Sequence, residues 1–573
     1  MRYVTATAAA VLSLSTIAHA QWVNDATTNT LIAGGEGLQA EPRIVARSDD
    51  GAFVSWFASA DAPTYWTLHL NRLKPTGEAL WGAGVPVSAK VQSTAEAAKI
   101  PQVEYDLKAD FGGNAVLAFT DFGVPGVQNR NVQVYRVSPF GAQMWGAEGV
   151  TLTTDSTFKR DPRIVQTSDG KYSVVWFVQG NFTTIPSKFF MQRLNDAGMP
   201  ELAPGGAEIV VGDAVNRAPD RFEVVASDNG SVIVAWVRQF SSSSSALRHI
   251  VAQKFGPDGL PLWNAGQPVT VCDQNVPLQT LGQNYPRVAL TATPGGGAAL
   301  AWFDVRAGAN THSVYAQRLD SAGAPVWVAN GVAASTNSTR FRIDPAIAHD
   351  ATGTWVFWRE MDNIITPSQY GVFAQRIDAT GTRTFGEDGA AVRAMSATNA
   401  TFIRAAAADG AGAAFWFEEP AGPNGGQLIV GTRIDATGAP LWVGGTVTAC
   451  SVLSTKNFNK HPLDTTNNAL VPRDSIALTL NSEGDALLAW QDNRTDGNDL
   501  FAQRVRRTGE LGNVHTTPCI ADFDDSGISS IDDLFLYFNA WFTGDPGANV
   551  DGQPGVFIDD LFVFLNAWFT GCP

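Results

Sequence analysis

The residues best spaced for chemistry lie in the last tenth of the chain. Counting Asp522 as position 1, Asp524 and Ser526 stand at positions 3 and 5, Gly527 follows at 6, and Asp533 closes the set at 12. Ile528 offers its carbonyl at 7, and Ser530 a ligand or a bridging water at 9. Calcium takes roughly six to eight hard oxygens around a sharply bent loop, so this spacing points to a calcium site. A second set lies 27 residues further on, with Asn549, Asp551, Gln553 and Asp560 at 1, 3, 5 and 12. It is the weaker one. Pro554 replaces the glycine at 6, and its fixed φ works against the bend. Aspartates at helix starts are favourable without any metal, but that does not explain the alternating acids upstream.

Elsewhere the chemistry is sparse. The histidines after residue 20 (His69, His249, His312, His349, His461 and His515) are scattered, with no metal-binding pair. There is no phosphate loop, no serine elbow and no plausible cysteine nucleophile, so no catalytic residue is assigned. Asp304 and Asp492, each with an arginine two places on (Arg306, Arg494), occupy matching places in two copies of a repeat. Recurrence argues for ties between strands, because a catalyst needs a single site.

That repeat must position everything else. Its clearest copies are Ala301–Gly331 and Ala489–Gly509. A first apolar strand pair ends at Trp56, Phe119, Trp176, Trp236, Trp302, Trp358, Trp416 and Trp490, at intervals of 56 to 74 residues. An alternating strand follows each, as in Val314-Tyr315-Ala316-Gln317-Arg318-Leu319, then a glycine turn and a short strand opened by an aromatic or apolar residue such as Trp81, Trp145, Trp263, Trp327, Phe385 or Trp442. Turns such as Ser168-Asp169-Gly170 mark the hairpin inside the first pair. Four short strands per unit, repeated eight times, predict an all-β, eight-bladed propeller over residues 21–512. The eighth copy lacks its last strand, and Thr30-Leu31-Ile32 is of the missing type. The N-terminal strand is therefore expected to complete blade eight and close the ring.

Composition fits this reading. The chain has 573 residues, 55 Gly, 17 Trp and only 16% charged residues, which suits many strands joined by turns. A formal charge of −16 excludes a nucleic-acid partner. Residues 1–20 read as a secretory signal ending in Ala18-His19-Ala20, and no apolar run is long enough to span a membrane. The mature chain is thus expected to be secreted. Cys519 and Cys572 bracket a final segment, 519–573, with nine Asp and no Lys, Arg or Glu. They suggest a disulfide clasp. Residues 513–518 form the linker. Cys272 and Cys450 sit at equivalent places in two units and are left unassigned.

W-x-D-x-R, then Y-A-Q-R, then a spaced tryptophan resembles a repeat of exported bacterial proteins of unassigned function. Asp435-Ala436-Thr437-Gly438 before Leu441-Trp442 is distantly similar to quinoprotein blades, but no quinone-site residue carries over. The paired acidic loops and D-D-L-F…N-A-W-F helices resemble dockerin repeats of planctomycete secreted proteins. That resemblance implies calcium as cofactor and a cohesin-like or cell-surface partner, bound through the helix faces (Phe535, Phe538 and Trp541; Phe562, Leu565 and Trp568).

Two functions follow as expectations. One is a secreted, non-catalytic binding or attachment protein, its propeller loops taking a glycan or protein ligand. The other is an extracellular carbohydrate-active enzyme, since exported dockerin-bearing proteins are often glycoside hydrolases. The segments that break the repeat (Ser88–Ile100, Gln239–Ala246, Asp273–Tyr285, Asn363–Gln369 and Ser451–Asn468) are where either would act. A carboxylate pair present in one blade only would favour the enzyme.

Overall fold

A computed structural model describes residues 22–35, 37–59, 65–88, 92–93, 105–121, 131–180, 187–211, 222–239, 247–274, 276, 288–306, 308, 311–420, 425–456, 476–495, 498–513, 520–523, 529–545, 548–551, 553 and 555–571. The expected signal, Cys519, Cys572 and the loop-one ligands Asp524, Ser526 and Ile528 lie outside these residues.

The strands form eight antiparallel sheets. Seven have four strands, and the one starting at Leu38 has a fifth short strand, Gln92–Ser93. In the first sheet the order is Leu38–Ala46, Ala52–Ser59, Tyr65–Leu73 and Val85–Pro86. Each later blade repeats it, for example Phe341–Asp350, Gly353–Met361, Tyr370–Ile377 and Ala390–Ser396 in blade 6. The first strands touch one another in succession, and the first strand of blade 8 (Ile476–Leu480) touches that of blade 1, so they surround a common axis in a closed ring. Closure occurs as expected: Thr30–Ala33 pairs with Asp499–Val505, Thr30 opposite Ala502.

The packing explains the spaced tryptophans. Trp263 of blade 4 lies over Gly323 in the turn of blade 5, where a Cβ would fall 2.5 Å from the ring. Gly323 also has φ +82°, a conformation that suits glycine. The Trp263 indole N–H donates to the Ser321 carbonyl at 2.9 Å. Trp145 repeats this on Asp196 (3.0 Å), Trp327 on Ala379 (3.3 Å) and Trp442 on Arg507 (3.1 Å). Trp22 makes the same contact across the closing seam, on the Pro75 carbonyl at 2.8 Å. A large apolar ring is thereby buried with its one donor satisfied.

Because strands alternate in direction, two kinds of connection fall at each end of the ring. The D-G hairpins and the glycine turns share one end, called here the turn end. The connections from second to third strand, and from one blade to the next, share the other, the loop end. Of the repeat-breaking segments, Asn363–Gln369 belongs to the loop end, and most of Ser88–Ile100, Gln239–Ala246, Asp273–Tyr285 and Ser451–Asn468 lies outside the described residues.

Beyond the propeller are two helices, α1 (Ile531–Thr543) and α2 (Ile558–Thr570). They pack through Tyr537 and Phe564, whose rings stack at 3.8 Å. These residues are 27 apart, so the duplication is expressed as a pseudo-two-fold pair. Two such helices are consistent with a small helical module.

Candidate active site at the loop end of blades 6 and 7

The repeated carboxylates come first. Four second strands carry a tryptophan followed two residues later by a carboxylate, buried in three and half-buried at Glu418, and the indole N–H donates to it: Trp302 to Asp304 (3.0 Å), Trp358 to Glu360 (2.9 Å), Trp416 to Glu418 (3.2 Å) and Trp490 to Asp492 (3.2 Å). Each carboxylate also holds a cation. Arg306 lies 2.6 Å from Asp304, Arg342 3.3 Å from Glu360, Arg393 2.8 Å from Glu418, and Arg494 2.6 Å from Asp492. These pairs tie elements together. Arg494 reaches Asn29 of the closing segment at 3.0 Å and Cys450 of blade 7 at 2.9 Å, and Arg306 reaches Cys272 of blade 4 at 3.5 Å. Cys272 and Cys450 are buried free thiols. Burial pushes the Cys272 thiol up to about 12, which makes it inert as a nucleophile.

One position departs from the repeat. Directly after the repeat's landmark aromatic (Trp56, Phe119, Trp176, Trp236, Trp302, Trp416 and Trp490), seven blades carry uncharged residues (Phe57, Thr120, Phe177, Val237, Phe303, Phe417, Gln491), whereas after Trp358 blade 6 carries Arg359. Its guanidinium sits 5.1 Å over the Tyr370 ring. It donates through Nη2 to Asn399 Oδ1 at 2.6 Å, while its Nε is out of solvent with no hydrogen-bond partner. Burial pulls its pKa below the usual guanidinium range, opposed by the nearby charges of Asp344 and Glu419.

Both carboxylates are set by local structure. Asp344 lies on the first strand of blade 6, at a register shift between Ile343 and Ala346, with φ 53°. The same register shift carries Glu41 in blade 1, Asp161 in blade 3 and Phe402 in blade 7, at φ 55°, 54° and 57°, so this bulge belongs to the repeat. Glu419 ends the second strand of blade 7, where no other blade has an acid. It is 5% exposed and accepts from Asn399 Nδ2 at 2.7 Å and Thr401 Oγ1 at 3.4 Å. Asn399 thus bridges Arg359 and Glu419. The repeat-breaking segment Asn363–Gln369 follows the second strand of the same blade and is tied to Asp362. The Asp362 carboxylate accepts from Ser368 N at 2.9 Å, Ser368 Oγ at 2.5 Å and Gln369 N at 3.0 Å. These bonds hold its pKa down at about 2.

Asp344, Glu419 and Arg359 meet at this junction, and a pair of carboxylates is what cleavage of a glycosidic bond requires. The sequence did not single out Asp344, Arg359, Asn399 or Glu419. The signal that finds them is the contrast between aligned copies, not the copies themselves.

In the helical pair, the expected ligands that are described fall at two loop ends. Asp533 Oδ2 accepts from Ser530 N at 2.7 Å and Ser530 Oγ at 2.9 Å. Asp560 Oδ1 accepts from Val550 N at 2.8 Å and Asp551 N at 3.0 Å, and Oδ2 from Phe557 N at 2.8 Å. Gln553 N donates to Asp551 Oδ1 at 2.8 Å, and the Asn549 amide donates to the Gln553 carbonyl. Asp522 is buried. Among the described residues no three-ligand His, Cys, Asp or Glu cluster is formed. Of the expected partner-facing side chains, Phe535 and Phe562 stand in solvent and Phe538 is half-buried. Trp541, Leu565 and Trp568 pack into the helix–helix core. Exposed Phe542 and Phe569 extend the solvent-facing stripes.

No family model matches the chain, and no curated protein matches it. Among solved structures it is similar to a protein of unknown function from Dyadobacter fermentans, at 9% identity over 83% of this chain and 98% of that one, with a TM-score of 0.36. It is also similar to a polysaccharide lyase, an ulvan lyase, at 11% identity over 75% and 95% with a TM-score of 0.39. A third is prolyl oligopeptidase B from Galerina marginata, at 11% over 80% and 56% with a TM-score of 0.41.

Proposed function

We propose that this is an extracellular carbohydrate-active enzyme that cleaves glycosidic bonds at the junction of blades 6 and 7. The observation that supports it is Arg359, a charge found in one blade only, flanked by Asp344 and Glu419. In this reading the two carboxylates share the acid and base work on the sugar. Arg359 and Asn399 fix their positions, and Tyr370 offers a ring face and a hydroxyl. The non-catalytic binding role gives way because Arg359 and Glu419 each stand in one blade only, unlike the ion-paired Asp304 and Asp492. The protein is exported by residues 1–20. The segment 519–573 serves as a calcium-dependent, dockerin-like anchor, clasped by Cys519–Cys572, for a cohesin-like or cell-surface partner. Its donor set is hard oxygen throughout (Asn549, Asp551, Gln553, Asp560), which suits calcium.

The test is a screen of the purified full chain against neutral and acidic polysaccharides, reading new reducing ends. Turnover of at least one glycan that vanishes in Asp344→Asn and Glu419→Gln supports the proposal. Binding without turnover, or turnover untouched by both variants, overturns it.

A further inference from the structure

Glu419 lies in a row of three side chains at the loop end of blade 7. The register sets Asn399, the first residue of the first strand, opposite Glu419, the last residue of the second. Leu428 of the third strand faces Glu418, which puts Gln427 beside Glu419 on the other side. The Asn399 amide donates to Glu419 Oε2 at 2.7 Å, and the Gln427 amide donates to Oε1 at 3.5 Å. The partners behind them settle which way each amide points. Asn399 Oδ1 accepts from Arg359 Nη2 at 2.6 Å, and Gln427 Oε1 accepts from the backbone N–H of Lys456 at 2.8 Å. A guanidinium and a peptide N–H can only donate. Each amide therefore turns its oxygen toward them and its NH2 toward Glu419. Gln427 and Lys456 are both buried.

We infer that Asn399 and Gln427 are paired positioning residues that make Glu419 the proton acceptor of the reaction, which leaves Asp344 as the proton donor. This rests on the cleavage reading above and assigns the roles within it. A protonated carboxyl has to donate one hydrogen bond, whereas an ionised one only accepts. Two fixed donors, one on each oxygen, suit the second state alone, and Thr401 Oγ1 adds a further donor to Oε1 at 3.4 Å. As Glu419 takes a proton from water, the water oxygen bonds to the anomeric carbon. The glycosidic C–O bond breaks, and the leaving oxygen takes its proton from Asp344. The row is braced from both neighbouring blades. Arg359 holds Asn399 from blade 6. On the other side Lys456 Nζ donates to the Gln427 carbonyl at 2.8 Å and lies 3.2 Å from Asp492 Oδ2 of blade 8.

The experiment uses the full chain and a glycan that it turns over in the screen above, reading kcat and KM. Gln427→Met and Asn399→Leu keep the volume and remove the donors. Each should lower kcat by roughly 10-fold with KM nearly unchanged. Sodium azide should revive Glu419→Ala and yield the glycosyl azide, read by mass spectrometry, because azide replaces the water and needs no base. Asp344→Ala should stay inactive with azide, since the leaving oxygen still lacks its proton. In azide-revived Glu419→Ala, adding Gln427→Met should bring no further loss, because its donor has no carboxylate left to hold. A loss there as large as in the parent makes Gln427 structural and overturns the assignment. Revival of Asp344→Ala, or none of Glu419→Ala, overturns it too. If circular dichroism shows that Gln427→Met does not fold, Gln427→Glu, which keeps the bond to Lys456 N, enters the same comparison. A parent chain that turns over no glycan overturns the cleavage reading and the assignment together.

Discussion

Arg193 at the turn end of blade 3 is buried and Arg359 at the loop end of blade 6 half-buried, and they differ in company. Arg193 pairs with Asp169 of its own blade and donates to the Gly230 carbonyl of the next at 2.9 Å. Arg433 repeats the second contact on Gly484 at 2.9 Å, and Lys254 repeats both with Asp228 and the Gly296 carbonyl. Arg359 has no counterpart at its place in the second strand. The difference separates two uses of such a charge. A charge repeated from blade to blade joins neighbouring sheets. A charge present once costs stability without that return, which is the pattern expected where function overrides folding.

Four experiments can break or sharpen this contrast. The largest effect is expected from Glu419→Gln, which should cut turnover by on the order of 1000-fold, about 4 kcal/mol of barrier, with Tm nearly unchanged. A parallel drop in Tm would move Glu419 to the structural side. Next, Trp22→Ala removes the closing indole from Gly77 and should cost roughly 3–5 kcal/mol, read as a lower midpoint in denaturant unfolding. Asp304→Asn should cost roughly 3 kcal/mol by leaving Arg306 under-compensated, with turnover per folded molecule preserved. Lost turnover there would mean the repeated ties also serve the site.

The smallest effect is a pH dependence. Burial lowers His312 from 6.5 to about 4. Its neutral form is the buried one, so its contribution is fully present above pH 6.5 and fades as pH falls toward 4. Between pH 7 and pH 5 the loss should be about 2 kcal/mol. His312→Asn should flatten that part of the stability–pH curve, and an unchanged curve would refute the assignment.

Repetition decided what could be read in advance. Seven tryptophan-ended strands and one ending at Phe119, a missing last strand and a matching N-terminal one were enough to place Thr30-Leu31-Ile32 in blade 8, because each copy checks the others. Asp304 and Asp492 were legible as ties for the same reason. Arg359 and Glu419 were not, since they lie 60 residues apart and meet only because consecutive blades lie side by side. Trp541 and Trp568 were legible as aromatic helix positions. Their turn inward depends on how the two helices pair, which the spacing within one helix does not contain.

The seam between Thr30–Ala33 and Asp499–Val505 also sets an order of events. Asn29 bonds to Ala449 and Gln503 across sequence separations of 420 and 474 residues. The earliest strand to emerge must therefore wait, unpaired, for almost the whole propeller to follow. Ring closure becomes the last step of folding, and a chain stalled before Val505 would present an open blade edge to its surroundings.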